Sequence, residues 1–210
     1  MTAEFSADER VLILDRFPIA IVGPSRCGKD LCADLLSELL GVRRCPPCSS
    51  AILPFAAVEL GLDLDVAWPT RHQHADVWDR VARRLRERDS VATARHALRD
   101  GGQILVGLRC RDEFLECRHQ RLFRFSVWVD RPGTPLDSKL TFGPEECDAV
   151  FRNETQDPLE VMSATRRNLI AFLRSWLAES SGFPTSSSAR PVDIPNEGFG
   201  EPLTLIRNRF

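Results

Sequence analysis

The sequence contains no apolar run that approaches the roughly 20 residues needed to cross a lipid bilayer. It also lacks an excess of charge of either sign, since 28 lysines and arginines stand against 30 aspartates and glutamates. This balance excludes a protein that coats nucleic acid through bulk positive charge, although it leaves room for a local basic groove. The first ten residues are polar and acidic, so we expect no secretory signal and a cytoplasmic protein without a membrane partner.

The cysteine pattern of a disulfide-bonded secreted protein is also lacking. Seven cysteines are an odd number, and without a secretory signal they indicate reduced thiols. Cys45 and Cys48 form a C-x-x-C pair, but no second Cys or His pair stands at zinc-finger spacing. We therefore interpret 45–48 as a rigid turn rather than as a metal or redox site.

What the chain does have is an alternation of short apolar runs and amphipathic segments. The apolar runs predict strands at 18–22, 104–106, 123–129 and 149–151. The amphipathic segments predict helices at 31–40, 54–60, 73–88, 90–98, 112–119 and 157–177. Strands that alternate with helices imply β-α-β units, and hence an α/β fold with three α/β/α layers around a parallel sheet.

Cap residues and a change of composition set the predicted boundaries. Ser90 is predicted to cap the helix that reaches Leu98, and Asp157 with Pro158 to open the last helix. The composition turns to Ser, Pro and Gly after residue 180. We expect one domain over 1–180, with its core at about 18–178, and a loosely packed tail over 181–210.

The first predicted strand and helix enclose a phosphate-binding pattern. The segment 23–30, GPSRCGKD, fits G-x-x-x-x-G-K with aspartate where serine or threonine is usual. Its glycines would let backbone N–H groups turn inward around phosphates, and Lys29 would reach the β- and γ-phosphates. The alternative is a glycine-rich turn that merely connects a strand to a helix. The pattern predicts that ATP is bound by Gly23, Pro24, Ser25, Arg26, Cys27, Gly28, Lys29, Asp30 and Leu31.

Asp30 is the informative departure from the usual pattern. The hydroxyl normally found at this position holds Mg²⁺, and a carboxylate is a stronger oxygen ligand for that ion. A carboxylate beside the phosphates would be repelled without a metal ion, so Asp30 predicts Mg²⁺ as a cofactor with itself as ligand and candidate base. Alternatively, Asp30 only complements the helix dipole, as any aspartate in a first turn does.

On these residues the sequence resembles the bacteriophage-type deoxynucleoside monophosphate kinases, in which Gly-Lys-Asp replaces Gly-Lys-Ser/Thr. The same tripeptide occurs in animal-type phosphomevalonate kinases. The resemblance extends over about 18–178 and includes 54–57, 60–62, 104–109 and 148–153. Related kinases of phage DNA hypermodification, which phosphorylate 5-hydroxymethyluracil in DNA, share this organisation. The resemblance implies a P-loop kinase that uses ATP and Mg²⁺, in the host cytoplasm if phage-encoded.

One departure from that family bears on the metal. The family's second strand ends in Asp-Val-Arg, whereas this chain has Gly107 in place of the aspartate. Either Asp30 holds the metal alone or Asp112 supplies a second carboxylate. Arg109 matches the family's arginine and is predicted to contact the acceptor or its phosphate; the alternative is a surface salt bridge with Asp112 or Glu113.

The segment 70–88 contains the candidate residues for binding the acceptor. Arg71 suits a phosphate, and His72 or His74 could assist in removing a hydroxyl proton, unless all three simply begin a solvated helix. Trp78 could stack on a flipped base, and a row of arginines could follow a DNA backbone, although such a helix face is more often only solvated. The arginines of this row are Arg80, Arg83, Arg84, Arg86 and Arg88.

The loop 130–144 is a candidate lid, in which Arg131 could stabilise the charge of the transferring phosphoryl group. Lys29, Asp30, Arg109 and Arg131 are therefore the predicted catalytic residues. The sparse lid and the arginine row slightly favour a hydroxymethylated base in DNA as acceptor over a free deoxynucleoside monophosphate. A nucleotide-binding module without turnover is a third alternative, and monomer and homodimer both stay open.

Overall fold

A computed structural model of the protein describes residues 4–135, 137–154 and 160–180. Its strands are β1 (Ile19–Val22), β2 (Ile104–Val106), β3 (Phe125–Asp130) and β4 (Ala149–Arg152). Its helices are α1 (Ala7–Leu14), α2 (Lys29–Leu40), α3 (Leu53–Leu60), α4 (Leu64–Ala67), α5 (Ala75–Arg88), α6 (Ala92–Leu98), α7 (Arg111–His119) and α8 (Val161–Ser180). Short 3-10 turns occupy Cys48–Ala51 and Pro144–Glu146. No helix in these ranges is long and apolar enough to traverse a bilayer.

The sheet is parallel throughout, with strand order β2-β1-β3-β4. In the centre, Ile19 of β1 pairs with Ile104 of β2 on one side and with Phe125 of β3 on the other. On the free side of β2, one parallel bridge from Arg44 to Ile104 adds a rudimentary edge. The carboxyl ends of all four strands therefore lie along one edge of the sheet.

Both faces of the sheet are covered, because successive strand residues point to opposite sides. On one face, Ile19 and Ile21 belong to a buried cluster with residues of α1, α2 and α8. On the other, Ala20 and Val22 belong to a cluster with residues of α6 and α7. The three-layer α/β/α fold around a parallel sheet that the sequence predicts is thereby confirmed.

Helices α3, α4 and α5 form a separate helical lobe beside the second cluster. Its core packs Ile52, Ala56, Trp78 and Val81 together, among other apolar residues. Helix α6 connects the lobe to the sheet, since its Ala92 belongs to the lobe core and its Ala94 to the cluster under the sheet. The lobe thus stands next to the β2 side of the domain.

Most element predictions agree with the structure to within two or three residues, but one predicted cap is wrong and two short helices, α1 and α4, lie outside the predicted helical segments. Ser90 is wrong as a cap: α6 begins after Val91 with no side-chain cap, and the Oδ1 of Asp89 accepts a hydrogen bond from the Val91 N–H at 3.1 Å. Helix α1 was not predicted, although Ser6 and Glu9 form a reciprocal capping box at its start. The proposed Asp157–Pro158 helix opening and the tail over 181–210 lie outside the described residues.

Candidate active site

The phosphate loop occupies the carboxyl edge of the central strand, between β1 and α2. Because the sheet is parallel, three other strand ends converge on the same edge, at Gly107, Arg131 and Asn153. Ligands of open α/β sheets bind outside this edge, where the loops from neighbouring strands meet. The topology alone therefore places 23–31, 107–109, the described residues of 131–135 and 137–141, and Asn153 around one site.

The backbone of the loop takes conformations that favour glycine. Gly23 has φ +143° and Gly28 φ +95°, and Arg26 between them also has positive φ, +66°. A Cβ on Gly28 would stand 2.5 Å from Nδ2 of Asn153, and one on Gly23 would collide with the carbonyl oxygen of Val129. Both glycines are required here because the loop folds closely against the ends of β3 and β4.

Lys29 is the first residue of α2 and directly follows the last glycine of the loop. Its side chain is largely buried, with 8% of the residue exposed, and its Nζ donates a hydrogen bond to the carbonyl oxygen of Pro24 at 3.0 Å. The ammonium group therefore lies across the mouth of the loop rather than in solvent. A glycine-rich loop, a helix N-terminus and a cation beside them fit the phosphates of a nucleotide.

Asp30 has a partner that the sequence did not reveal. Its side chain is 65% exposed and forms an ion pair with Arg44, the residue on the rudimentary edge beside β2. Arg44 also binds Asp34, one helical turn further along α2, at 2.6 Å. The described residues hold no cluster of three or more His, Cys, Asp or Glu that suits a metal ion. A magnesium ion held mainly by phosphates and water needs only one or two carboxylates, so Asp30 fits Mg²⁺ if Arg44 releases it.

Ser25, Asp137 and Arg109 meet at the mouth of the loop. The Ser25 N–H and hydroxyl both donate to Oδ2 of Asp137, at 3.2 and 2.6 Å. Arg109 donates from Nη2 to the Ser25 hydroxyl at 3.3 Å, and its Nη1 lies 3.6 Å from the same Asp137 oxygen. Arg109 thus lies beside the phosphate loop, and its ion pair there is with Asp137 rather than with Asp112 or Glu113. Its predicted contact with the acceptor or its phosphate stays a prediction.

The Asp137 carboxylate is held in its ionised form. Its burial opposes ionisation, but the hydrogen bonds from Ser25 and Lys139 and the charge of Arg109 outweigh that effect, so the pKa of Asp137 is lowered. Lys139 continues the contact into the helical lobe, because its Nζ lies 2.6 Å from Oδ2 of Asp79 on α5. The loop after β3 therefore contacts both the phosphate loop and the lobe.

Asn153, at the end of β4, supports the phosphate loop from the protein interior. It is fully buried, and its Nδ2 donates to the carbonyl oxygen of Cys27 at 3.2 Å. The Thr165 hydroxyl of α8 donates to Oδ1 of Asn153, also at 3.2 Å. Both ends of this amide are thereby used, and the end of β4 is tied to the loop.

The predicted acceptor residues lie on or beside the helical lobe. Arg71 stacks its guanidinium 4.5 Å from the ring centroid of Trp68 and donates to the Trp68 carbonyl oxygen at 2.9 Å. His72 is exposed, and the half-buried His74 is the residue that precedes α5, without a side-chain capping bond. These positions are compatible with a solvated helix start and with contact to an acceptor.

Trp78 lies in the core of the lobe. Only 7% of it is exposed, and its Nε1 is buried without a hydrogen-bond partner among the described residues. A base could stack on this ring only if the lobe opened. The predicted stacking role therefore has no support from the described packing.

Much of the arginine row is engaged within the protein. Arg80 and Arg84 both pair with Glu59 of α3, and Nη1 of Arg86 lies 3.7 Å from Oε2 of Glu113. These pairs neutralise part of the positive face of α5. Three of these arginines therefore connect α5 to α3 and α7, and the row does not form a continuous positively charged surface.

The remaining predicted residues lie at the other strand ends. Gly107 has φ +108°, so this strand end takes a conformation that an aspartate rarely adopts. Asp112 is exposed in the first turn of α7, and Arg131 is half-buried at the start of the turn after β3. The backbone at this strand end therefore favours glycine over an acid.

Sequence reasoning missed three residues of this site. Asp137 is the only acidic residue in 131–144, and that isolation in a candidate lid was an available signal. Asn153 ends the segment 148–153, which the family resemblance includes without giving this residue a role. Arg44 carried no local signal at all, since its place depends on the sheet edge.

Comparisons with known proteins add little beyond the fold. No protein-family model matches the chain, and no curated protein matches it. Among solved structures, the chain is similar to shikimate kinase from Aquifex aeolicus vf5, with 16% identity and a TM-score of 0.41. The match covers 79% of this chain and 99% of that one. This likeness indicates neither a family nor a substrate.

Proposed function

We propose that the protein is an ATP-dependent P-loop phosphotransferase, which transfers the γ-phosphate of ATP to a deoxynucleotide acceptor. The observation that carries this proposal is the position of Lys29. Its ammonium group lies across the mouth of a glycine-rich loop between a strand and a helix, at the carboxyl edge of a parallel sheet. A turn that merely connected a strand to a helix would have no reason to bury a lysine there.

Each residue of the site has a distinct role in this proposal. The backbone N–H groups of the loop bind and orient the phosphates, and Lys29 contacts the β- and γ-phosphates. Arg109, at the mouth, stabilises charge on the transferring group, and Arg131 supports it from the next strand end. Mg²⁺, when bound, neutralises phosphate charge, with Asp30 as the protein ligand.

The acceptor is the less constrained part of the proposal. A free deoxynucleoside monophosphate is favoured by the internal pairing of Arg80, Arg84 and Arg86, because these arginines contribute less charge to a DNA backbone. The hydroxymethyl group of 5-hydroxymethyluracil in DNA is favoured by the lid, in which Arg131 is the one arginine of 130–144. A large acceptor that covers the site itself needs fewer closing arginines than a free nucleotide.

Transfer of label from γ-labelled ATP distinguishes the two acceptors. The protein is offered Mg²⁺, labelled ATP and either deoxynucleoside monophosphates or duplex DNA containing 5-hydroxymethyluracil. Label in a mononucleotide would support a nucleotide kinase, and label in the DNA would support a modification kinase. Unmodified duplex DNA serves as the matched control for the second case.

Substitution of Lys29 tests the enzyme against a binding module without turnover. Lys29→Met retains the aliphatic stem, so the buried position stays filled, but removes the ammonium group. A phosphotransferase loses transfer, whereas a module has no transfer to lose and only binds ATP more weakly. A Lys29→Met protein that transfers phosphate like the wild type would contradict the assignment of the loop.

A further inference from the structure

The Asp137 carboxylate lies where the phosphate loop offers donors to an anion. One oxygen, Oδ2, receives the N–H and the hydroxyl of Ser25 and lies 3.6 Å from Nη1 of Arg109. A backbone N–H, a hydroxyl and a guanidinium are the same donors that bind a phosphoryl oxygen. Donors that satisfy a carboxylate here would satisfy a phosphate oxygen equally well.

These donors lie where the terminal phosphate of a bound nucleotide is expected. The ammonium group of Lys29 lies 3.0 Å from the carbonyl oxygen of Pro24, the residue that precedes Ser25. The Lys29 ammonium group therefore lies beside the part of the loop that contains Ser25. A terminal phosphate that contacts Lys29 must come close to Ser25 and Arg109.

We propose that Ser25 and Arg109 form a subsite for the terminal phosphate of the nucleotide, and that Asp137 competes with that phosphate for it. Binding of a triphosphate displaces the carboxylate, whereas a diphosphate leaves it in place. Asp137 thus lowers the affinity for ATP and has little effect on the affinity for ADP. This inference rests on the proposed function.

The Asp137 carboxylate is held in place by several contacts within the protein. Its other oxygen, Oδ1, accepts the Lys139 N–H at 3.1 Å, and only 8% of the side chain is exposed. The Leu140 N–H donates to the Asp137 carbonyl oxygen at 2.9 Å, and the Lys139 ammonium group binds Asp79 on α5. These contacts hold the carboxylate against Ser25 without help from a ligand.

A general-base role for Asp137 fits these contacts less well. Both carboxylate oxygens already accept hydrogen bonds, and the pKa of the group is lowered rather than raised toward neutrality. An efficient base has a pKa near the working pH. Competition with the terminal phosphate uses the same contacts and needs no proton transfer.

Calorimetric binding of a non-hydrolysable ATP analogue and of ADP tests the inference. The proteins compared are the wild type, Asp137→Ala, Asp137→Asn and Glu145→Gln. The last is the charge-matched control, because Glu145 is exposed in the following turn and does not contact Ser25. Asp137→Ala should bind the triphosphate roughly tenfold more tightly, since one charged hydrogen-bonded contact no longer opposes binding.

The expected pattern is specific. Asp137→Asn should gain less than Asp137→Ala, since an amide still accepts a hydrogen bond from Ser25, and Glu145→Gln should match the wild type. Affinity for ADP should be nearly the same in all four proteins. Equal changes for both nucleotides, or weaker triphosphate binding in Asp137→Ala, would overturn the inference while leaving the proposed function intact. A wild-type protein that binds neither nucleotide would instead refute the proposed function itself.

Discussion

Asn153 donates a hydrogen bond from Nδ2 to the carbonyl oxygen of Cys27, across 126 positions of sequence and 3.2 Å of space. Through this contact the end of the last strand holds the middle of the phosphate loop. The Thr165 hydroxyl, which donates to the other end of the amide, fixes its orientation. Asn153 and Thr165 therefore hold the loop from the protein interior, on the side that faces away from a bound nucleotide.

Replacement of Asn153 should loosen the loop and weaken nucleotide binding. Asn153→Ala leaves the Cys27 carbonyl oxygen and the Thr165 hydroxyl buried without a partner, which should cost about 1–3 kcal/mol in the free energy of unfolding. Urea denaturation measures that loss, and calorimetry measures the accompanying loss of ATP affinity.

Thr165→Val is the matched control for Asn153→Ala. It removes the donor to Asn153 but leaves the bond from Asn153 to Cys27 in place. It should lower stability while reducing ATP affinity much less than Asn153→Ala does. If the loss of ATP affinity followed the loss of stability in the same proportion in both variants, Asn153 would have no specific effect on the loop.

An acid at position 107 should not restore a metal ligand. The backbone there has φ +108°, and a Cβ would lie 3.6 Å from the backbone nitrogen of Cys48. Gly107→Asp should lose about 1–3 kcal/mol of stability through backbone strain, with no fall in the Mg²⁺ concentration needed for half-maximal transfer. Gly107→Ala, which carries the same strain without a carboxylate, is the control. A lower Mg²⁺ requirement in Gly107→Asp than in Gly107→Ala would show that the strand end accepts an acid ligand after all.

The sheet and the phosphate loop could be predicted because their signals are local. The apolar run before Gly23, the G-x-x-x-x-G-K spacing and the leucines of α2 all lie within 23 residues of one another. The contacts that complete the site are not local. Ser25 meets Asp137 across 112 positions, and Asp30 meets Arg44 only because the chain returns to the edge of the sheet.

Trp78 and Asp89 illustrate two other limits of predicting residue roles from the sequence. An aromatic side chain such as Trp78 could stack on a base, yet residue type does not say that the core of the lobe covers the ring. Ser90 is a good cap residue by type, but the preceding Asp89 side chain satisfies the Val91 N–H instead. Residue type predicts which roles are available, whereas packing decides which of them are used.

Glu113 makes the stability of the fold depend on pH. Only 3% of this residue is exposed; it accepts a hydrogen bond from the Thr93 hydroxyl, and burial raises its pKa. A carboxyl with a raised pKa holds its proton more tightly in the folded state than in the unfolded state. Its contribution to stability is therefore present below the unfolded pKa and is lost as the pH rises through the folded pKa.

Glu113→Gln should remove that dependence while it keeps an acceptor for Thr93. The stability difference between the variant and the wild type should grow in favour of the variant as the pH rises from acid toward neutral. It should then level off. Urea denaturation at a series of pH values measures this difference. A difference that does not change with pH would mean that Glu113 titrates alike in both states.

Arg44 and a magnesium ion should compete for the Asp30 carboxylate. The ion pair binds Asp30 from the side of the sheet edge, so a metal ion that takes this carboxylate must replace the guanidinium. Arg44→Gln should therefore lower the Mg²⁺ concentration needed for half-maximal transfer. The change should not exceed about fivefold, because a partly exposed ion pair contributes at most about 1 kcal/mol.

Asp30→Asn and Asp34→Asn separate a metal ligand from a general effect of charge on α2. Both variants remove one negative charge from the same helix face and one partner from Arg44. Asp30→Asn should raise the Mg²⁺ requirement strongly, since the direct ligand is lost, whereas Asp34→Asn should stay near the wild type. The double variant Arg44→Gln/Asp30→Asn should behave like Asp30→Asn alone, because without the carboxylate the arginine has nothing to compete for. If Asp34→Asn raised the requirement as much as Asp30→Asn, the acidic face would act through its charge alone, and Asp30 would not be the ligand.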